Sequence, residues 1–138
     1  MQLVECHHER LFESPQGPIV AVFFRDHYPL GSLGFQHARQ MRDYLQAVVA
    51  GAEPAAALLD LTELDGLWGD GVMQLALPLR TTPTRCRPFC ILATGQTAEM
   101  IRPFFGPNWL LGILGGKLFE TRQEAVAYLV ARLEISAT

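Results

Sequence analysis

The chain is short of almost everything that would announce a chemistry. It carries three cysteines in 138 residues, an odd number, so a complete disulfide framework is impossible. Two of them, Cys86 and Cys90, fall in an expected strand, "CRPFCILAT". A rise of about 3.3 Å per residue sets their Cα atoms about 13 Å apart there, too far to bond. Cys6 heads a "CHH" triplet, but successive strand side chains face opposite ways, which spoils Cys6, His7 and His8 as a metal set. The cysteines therefore read as small core residues in a reducing compartment. Basic residues are not in excess either. Eleven Lys and Arg against 14 Asp and Glu give a formal net charge of −3, with no basic footprint for nucleic acid or an anionic membrane. No apolar run approaches the roughly 18 residues that span a bilayer, and "MQLVECHHER" lacks the apolar core of a secretory signal. A cytoplasmic protein is expected.

Catalytic signatures are missing as well. There is no P-loop lysine, G-x-G-x-x-G, H-E-x-x-H, paired C-x-x-C or Ser-His-Asp order. "GILGG" has glycines but no following helix start suited to a phosphate. His7, His8, His27 and His37 are scattered, and the acidic neighbours Glu9, Asp60, Glu63, Asp65 and Asp70 identify no substrate. The expectation is a non-enzymatic protein without cofactor or metal.

What is present is a globular composition, 49% apolar and 18% charged, over the length of one ordinary domain (1–138), with no internal repeat or dividing linker. "PIVAVFFRD" (18–26) reads as a strand behind the turn "SPQG", and residues 3–12 as its hairpin partner. From 33 to 50, Phe35, Ala38, Met41, Leu45, Val48 and Val49 recur at helical spacing, with Gly51 as the stop. "AAALLDL" (55–61) is a strand covered on both faces. A helix from about Gly71 to Arg80 follows, then a strand over 87–95, a short helix capped by Thr97, a short strand, and a last helix. That last helix opens with Thr121 and Glu124 as a capping box ahead of Ala125, Val126, Leu129, Val130 and Leu133. The alternation predicts an α/β fold: a mostly parallel mixed sheet of about five strands with about four helices and an antiparallel edge.

Within this frame, "DLTELDGLWGDGVMQL" resembles the centre of the STAS domain family, which includes bacterial anti-sigma-factor antagonists. Its members have a buried strand ending D-L-S, a short spacer, and D-S-S-G-L opening a helix. Asp60, Leu61 and Thr62 fall on the first element; Gly71 and Val72 fall on the family's glycine and leucine. The resemblance extends from about residue 18 to 133. It implies a STAS-like fold and a regulatory protein-protein interaction in bacterial signal transduction, with a kinase-type anti-sigma factor as the candidate partner. It assigns Asp60, Thr62 and Gly71 to the structural motif. The serine that regulatory members phosphorylate is replaced by Gly69, so no phosphate can be placed there.

Four residues around that position bear on partner binding. Asp70 is either a helix N-cap or a fixed negative charge offered to a partner. Trp68 either folds over the sheet edge or anchors a partner. Met73 and Leu77 point away from the core face formed by Val72, Leu75, Ala76 and Leu79, and need cover from a neighbouring segment or another molecule. Pro78 is expected to kink or weaken the helix. The run Trp109–Leu114 is read as a buried strand or a self-association surface. The expected partner site is thus Trp68, Gly69, Asp70, Met73 and Leu77. The alternatives are a small-ligand module for a lipid or nucleotide, and a self-associating domain, a homodimer in the simplest case.

Overall fold

Residues 4–27, 32–65, 69–82 and 85–137 are described by the computed structural model. The chain opens with the expected hairpin. Strand β1 (Glu5–Ser14) runs antiparallel to β2 (Gly17–His27), with Ser14 opposite Gly17. Ser14 closes the turn with its own side chain: its hydroxyl donates to the Gly17 carbonyl at 2.8 Å and accepts the Gln16 N–H at 3.3 Å. Gly17 takes φ 135°, a conformation that only glycine adopts without strain. The register shifts between Arg10 and Phe12, and this bulge brings Phe12 opposite Ile19 rather than leaving Leu11 there.

Helix α1 (Ser32–Ala52) carries the chain back to β3 (Ala56–Asp65), which lies parallel to β2. Ala38, Met41, Leu45 and Val48 are buried along one stripe and Val49 is half-buried; the side chain of Phe35 lies outside the described residues. The helix runs past Gly51, contrary to the expected stop. It ends because Pro54 follows: proline disfavours helical geometry in the residue before it, and Glu53 turns to φ 47° while its N–H still reaches the Val49 carbonyl at 3.0 Å.

Strand β3 also differs from its expected course. Instead of leaving the sheet at Asp60 and Thr62, it bulges there and continues. Phe23 pairs with Asp60, but Arg25 pairs with Glu63, so β3 spends two residues where β2 spends one. The Asp60 carboxylate accepts both the Thr62 N–H (2.9 Å) and the Thr62 hydroxyl (2.6 Å), giving the displaced backbone donor a partner. The D-L-T motif is a bulge clamp.

After β3 come α2 (Gly69–Ala76), a 3-10 turn (Leu77–Leu79), and a small hairpin, β4 (Arg80–Thr82) with β5 (Arg85–Cys86). The chain continues through β6 (Phe89–Leu92), α3 (Gly95–Ile101), a 3-10 turn (Arg102–Phe105), α4 (Leu110–Ile113), β7 (Lys117–Phe119) and α5 (Arg122–Ala137). The main sheet has the order β1-β2-β3-β6-β7, parallel except for β1. Cys86 and Cys90 therefore sit in different strands rather than one, separated by Arg87 and Pro88. Thr97 is not a cap: Thr94 holds that place, and Thr97 lies inside α3. Thr121 does cap α5, its hydroxyl accepting the Glu124 N–H at 3.3 Å and donating to the Glu124 carboxylate at 2.8 Å.

Both faces of the sheet are covered. On one, Val20, Val22, Leu59, Leu61 and Ile91 pack with the buried residues of α1, α2, α3 and α4. On the other, Ile19, Ala21, Leu58, Cys90 and Leu92 pack with Ala125, Leu129 and Leu133 of α5 alone. This explains the near-continuous apolar runs of β2 and β3.

Two predictions follow from these placements. Gly51 is exposed inside a helix, and a Cβ added there meets nothing. Gly51→Ala should stabilise the fold by about 0.5–1 kcal/mol in urea titrations. Burial pushes the free thiols up from an ordinary 9.0, to about 11 for Cys6 and Cys86 and about 12 for Cys90. The folded state then keeps these protons while the unfolded chain loses them, so stability should fall as pH rises from about 9 toward 11. Cys90→Ala should flatten that fall in urea midpoints measured across the range.

Candidate functional site

The expected site centres on α2, and the helix is held by its inner face. Val72, Leu75, Ala76 and Leu79 are each fully buried, at steps of three and four residues that align on one side of a helix. They fix α2 against α1, with α3 and α4 also in contact. Gly71, within the helix, is buried as well. The helix starts at Gly69, two residues before the expected Gly71, so Gly69 and Asp70 belong to its first turn. Asp70 is then inside the helix rather than its N-cap. A carboxylate residue in a first turn is still favoured by the helix dipole, but the Asp70 side chain lies outside the described residues, as does all of Trp68.

Pro78 ends the α-helical part early. Proline has no N–H to return to the carbonyl four residues back, and the chain tightens into the Leu77–Leu79 3-10 turn, closed by the Arg80 N–H on the Leu77 carbonyl. That tightening parts the second apolar pair. Met73 is half-buried and packs back against the core, as a flexible thioether chain can. Leu77 is 41% exposed. One member of the pair is covered by its own molecule and the other is not.

The base of the site is braced from α3. The Thr97 hydroxyl donates to the Leu64 carbonyl at 3.0 Å in a buried position, tying the end of β3, just before the segment leading to α2, to the neighbouring helix. On the sheet itself, Arg25 bridges Glu63 at 2.8 Å and Glu5 at 3.7 Å. The hydrogen bond with Glu63 holds the Arg25 guanidinium pKa above its usual value, and the same bond with Arg25 lowers the pKa of Glu63. All three side chains are more than half exposed, so these ion pairs set register more than they add stability. A cleft of about 280 Å³ with mixed polar and aromatic lining lies beside them, between His7, Phe23, Phe24, Arg25, Asp60, Thr62 and Glu63. Among the described residues, no three His, Cys, Asp or Glu side chains gather as a metal ion would require.

The second apolar stretch, Trp109–Leu114, is not a strand. Leu110–Ile113 forms one helical turn, α4, closed by the Gly116 N–H on the Leu111 carbonyl (2.8 Å) and the Gly115 N–H on the Gly112 carbonyl (3.1 Å). With Gly115 at φ 83°, this is a glycine-terminated helix end of the Schellman type. "LGG" carried that signal. Leu111 and Leu114 are buried, whereas Trp109 is 44% exposed and meets Phe104 edge-on at 4.8 Å.

No family model matches this chain, and no curated protein matches it. Among solved structures, it is similar to the crystal structure of an anti-sigma factor antagonist from Mycobacterium paratuberculosis. That likeness covers 90% of this chain and 95% of the other, at 21% identity and a TM-score of 0.58. An uncharacterized protein with a SpoIIAA-like fold from Shewanella loihica PV-4 is similar over 94% and 97%, at 22% identity and a TM-score of 0.49. At such identities the likeness concerns architecture: this chain has a STAS-like fold.

Removing the brace should be measurable. Thr97→Val leaves a buried carbonyl without its donor and should cost about 1–2 kcal/mol in urea unfolding. Thr97→Ser, which keeps the hydroxyl, should cost less than half of that.

Proposed function

We propose that this chain is a single STAS-like protein-binding module, non-enzymatic and regulatory, which docks a protein partner through α2 and the residues that flank it. The observation that carries the reading is the exposed Leu77, in the 3-10 turn that ends α2, a helix whose inner face is committed to the core. An apolar side chain held rigidly outward in this way is suited to anchor a partner. In this reading Trp68, Gly69 and Asp70 extend the surface, Trp68 as the aromatic anchor and Asp70 as a fixed negative charge, with the half-buried Met73 at its margin. The fold shared with an anti-sigma factor antagonist supports this class of job and makes a kinase-type anti-sigma factor the candidate partner.

The docking is not switched by phosphate on this surface. From Leu64 to Arg80 the chain has no serine, threonine or tyrosine, so no side-chain hydroxyl there can accept a phosphoryl group in place of the glycine at position 69. The module binds constitutively, in the cytoplasm, with partner availability as the control.

Leu77→Asp tests the proposal. The substitution is at an exposed position, so urea stability should change by less than about 0.5 kcal/mol. Affinity for a partner captured by the wild-type chain should fall on the order of tenfold or more. Undiminished binding by a folded Leu77→Asp chain would remove α2 from the interface.

A further inference from the structure

On the sheet face opposite α2, a groove of about 220 Å³ lies between the β1–β2 hairpin turn and the C-terminal half of α5. Its walls are apolar: Phe12 and Ile19 from the hairpin, Val130 and Leu133 from α5. Phe12 faces it because the bulge in β1 places that residue opposite Ile19, and Phe12 remains 37% exposed. Gln16 pins the two walls together by donating to the Leu133 carbonyl at 2.9 Å. The space exceeds the roughly 150 Å³ that suffices for benzene, which fits one ring or a short alkyl chain.

The rim carries two carboxylates, one of them neutralised. Glu13 and Glu134 stand at its edge. Arg10 holds Glu13 at 2.6 Å, whereas Glu134 has no ion-pair partner among the described residues. An apolar slot and an unpaired carboxylate thus lie side by side.

We propose that this groove binds a small amphiphilic monocation, its alkyl or aryl body between Phe12 and Val130 and its ammonium group at Glu134. A neutral ligand of the same shape leaves the carboxylate unpaired, and an anion is repelled. The site is on the other face of the sheet from α2 and is independent of the docking surface.

The test is a methyl NMR titration of the full chain with hexylamine, an ammonium ion at pH 7, in parallel with hexanol and hexanoate. Hexylamine should give saturable shifts at the Ile19, Val130 and Leu133 methyls, bind about threefold or more tightly than hexanol, and weaken with added salt. Hexanoate should leave these methyls unmoved. Glu134→Gln, at an exposed position that does not threaten folding, should reduce hexylamine to the level of hexanol. Equal binding of hexanol and hexylamine, no effect of Glu134→Gln, saturable shifts confined to other methyls, or no saturable shift with hexylamine would each overturn the proposal.

Discussion

Four aliphatic side chains, Val72, Leu75, Ala76 and Leu79, hold α2 to the body of the protein, and the outward face of that helix follows from their burial. Sequestering a large aliphatic side chain is worth about 1.5–3 kcal/mol, far more than any surface contact made by Leu77. The helix therefore cannot rotate to hide Leu77 without exposing its anchors. Rigidity of the inner face makes the outer face a defined surface rather than a fluctuating one, and a partner would not have to order it first. Thr97 extends this logic to the end of β3, whose carbonyl it pins before the chain departs toward α2.

The sheet beneath is asymmetric in its cover. Four helices and two 3-10 turns crowd one face, while α5 alone packs on the other. The edge strand β1 consequently shows most of its side chains to solvent, and it is rich in charge, as an unpaired edge must be to resist strand addition. Beside the packing of Cys6 and Leu11 against the core, its ties to the rest include polar ones: His8 shares a hydrogen bond with Tyr44 at 2.8 Å, and Glu9 pairs with Arg122 at 2.7 Å. The groove beside Phe12 exists because one helix cannot cover five strands.

Much of this was legible in the residues. Apolar and β-branched runs placed β2 and β3, helical spacing placed α1, a capping box placed α5, and the inner face of α2 was read correctly at each of its four positions, because burial is what periodicity records. Local exceptions were harder. The α1 terminus was set by Pro54 rather than Gly51, a contest between two stop signals that spacing alone does not rank. The D-L-T bulge was invisible because it depends on pairing with a distant strand. The run at Trp109–Leu114 was read as a possible strand, although Gly115 and Gly116 form the end of a helical turn. The division of Met73 from Leu77 arose from the tightening at Pro78, which the sequence announced without giving its consequence.

The central claim is that α2 is the face a protein partner covers. Hydrogen–deuterium exchange on the chain, free and bound to a purified partner, addresses it directly. The account predicts added protection concentrated between residues 69 and 79, with β1 and α5 unchanged. Protection along β1 or α5, with α2 exchanging as in the free chain, would contradict it.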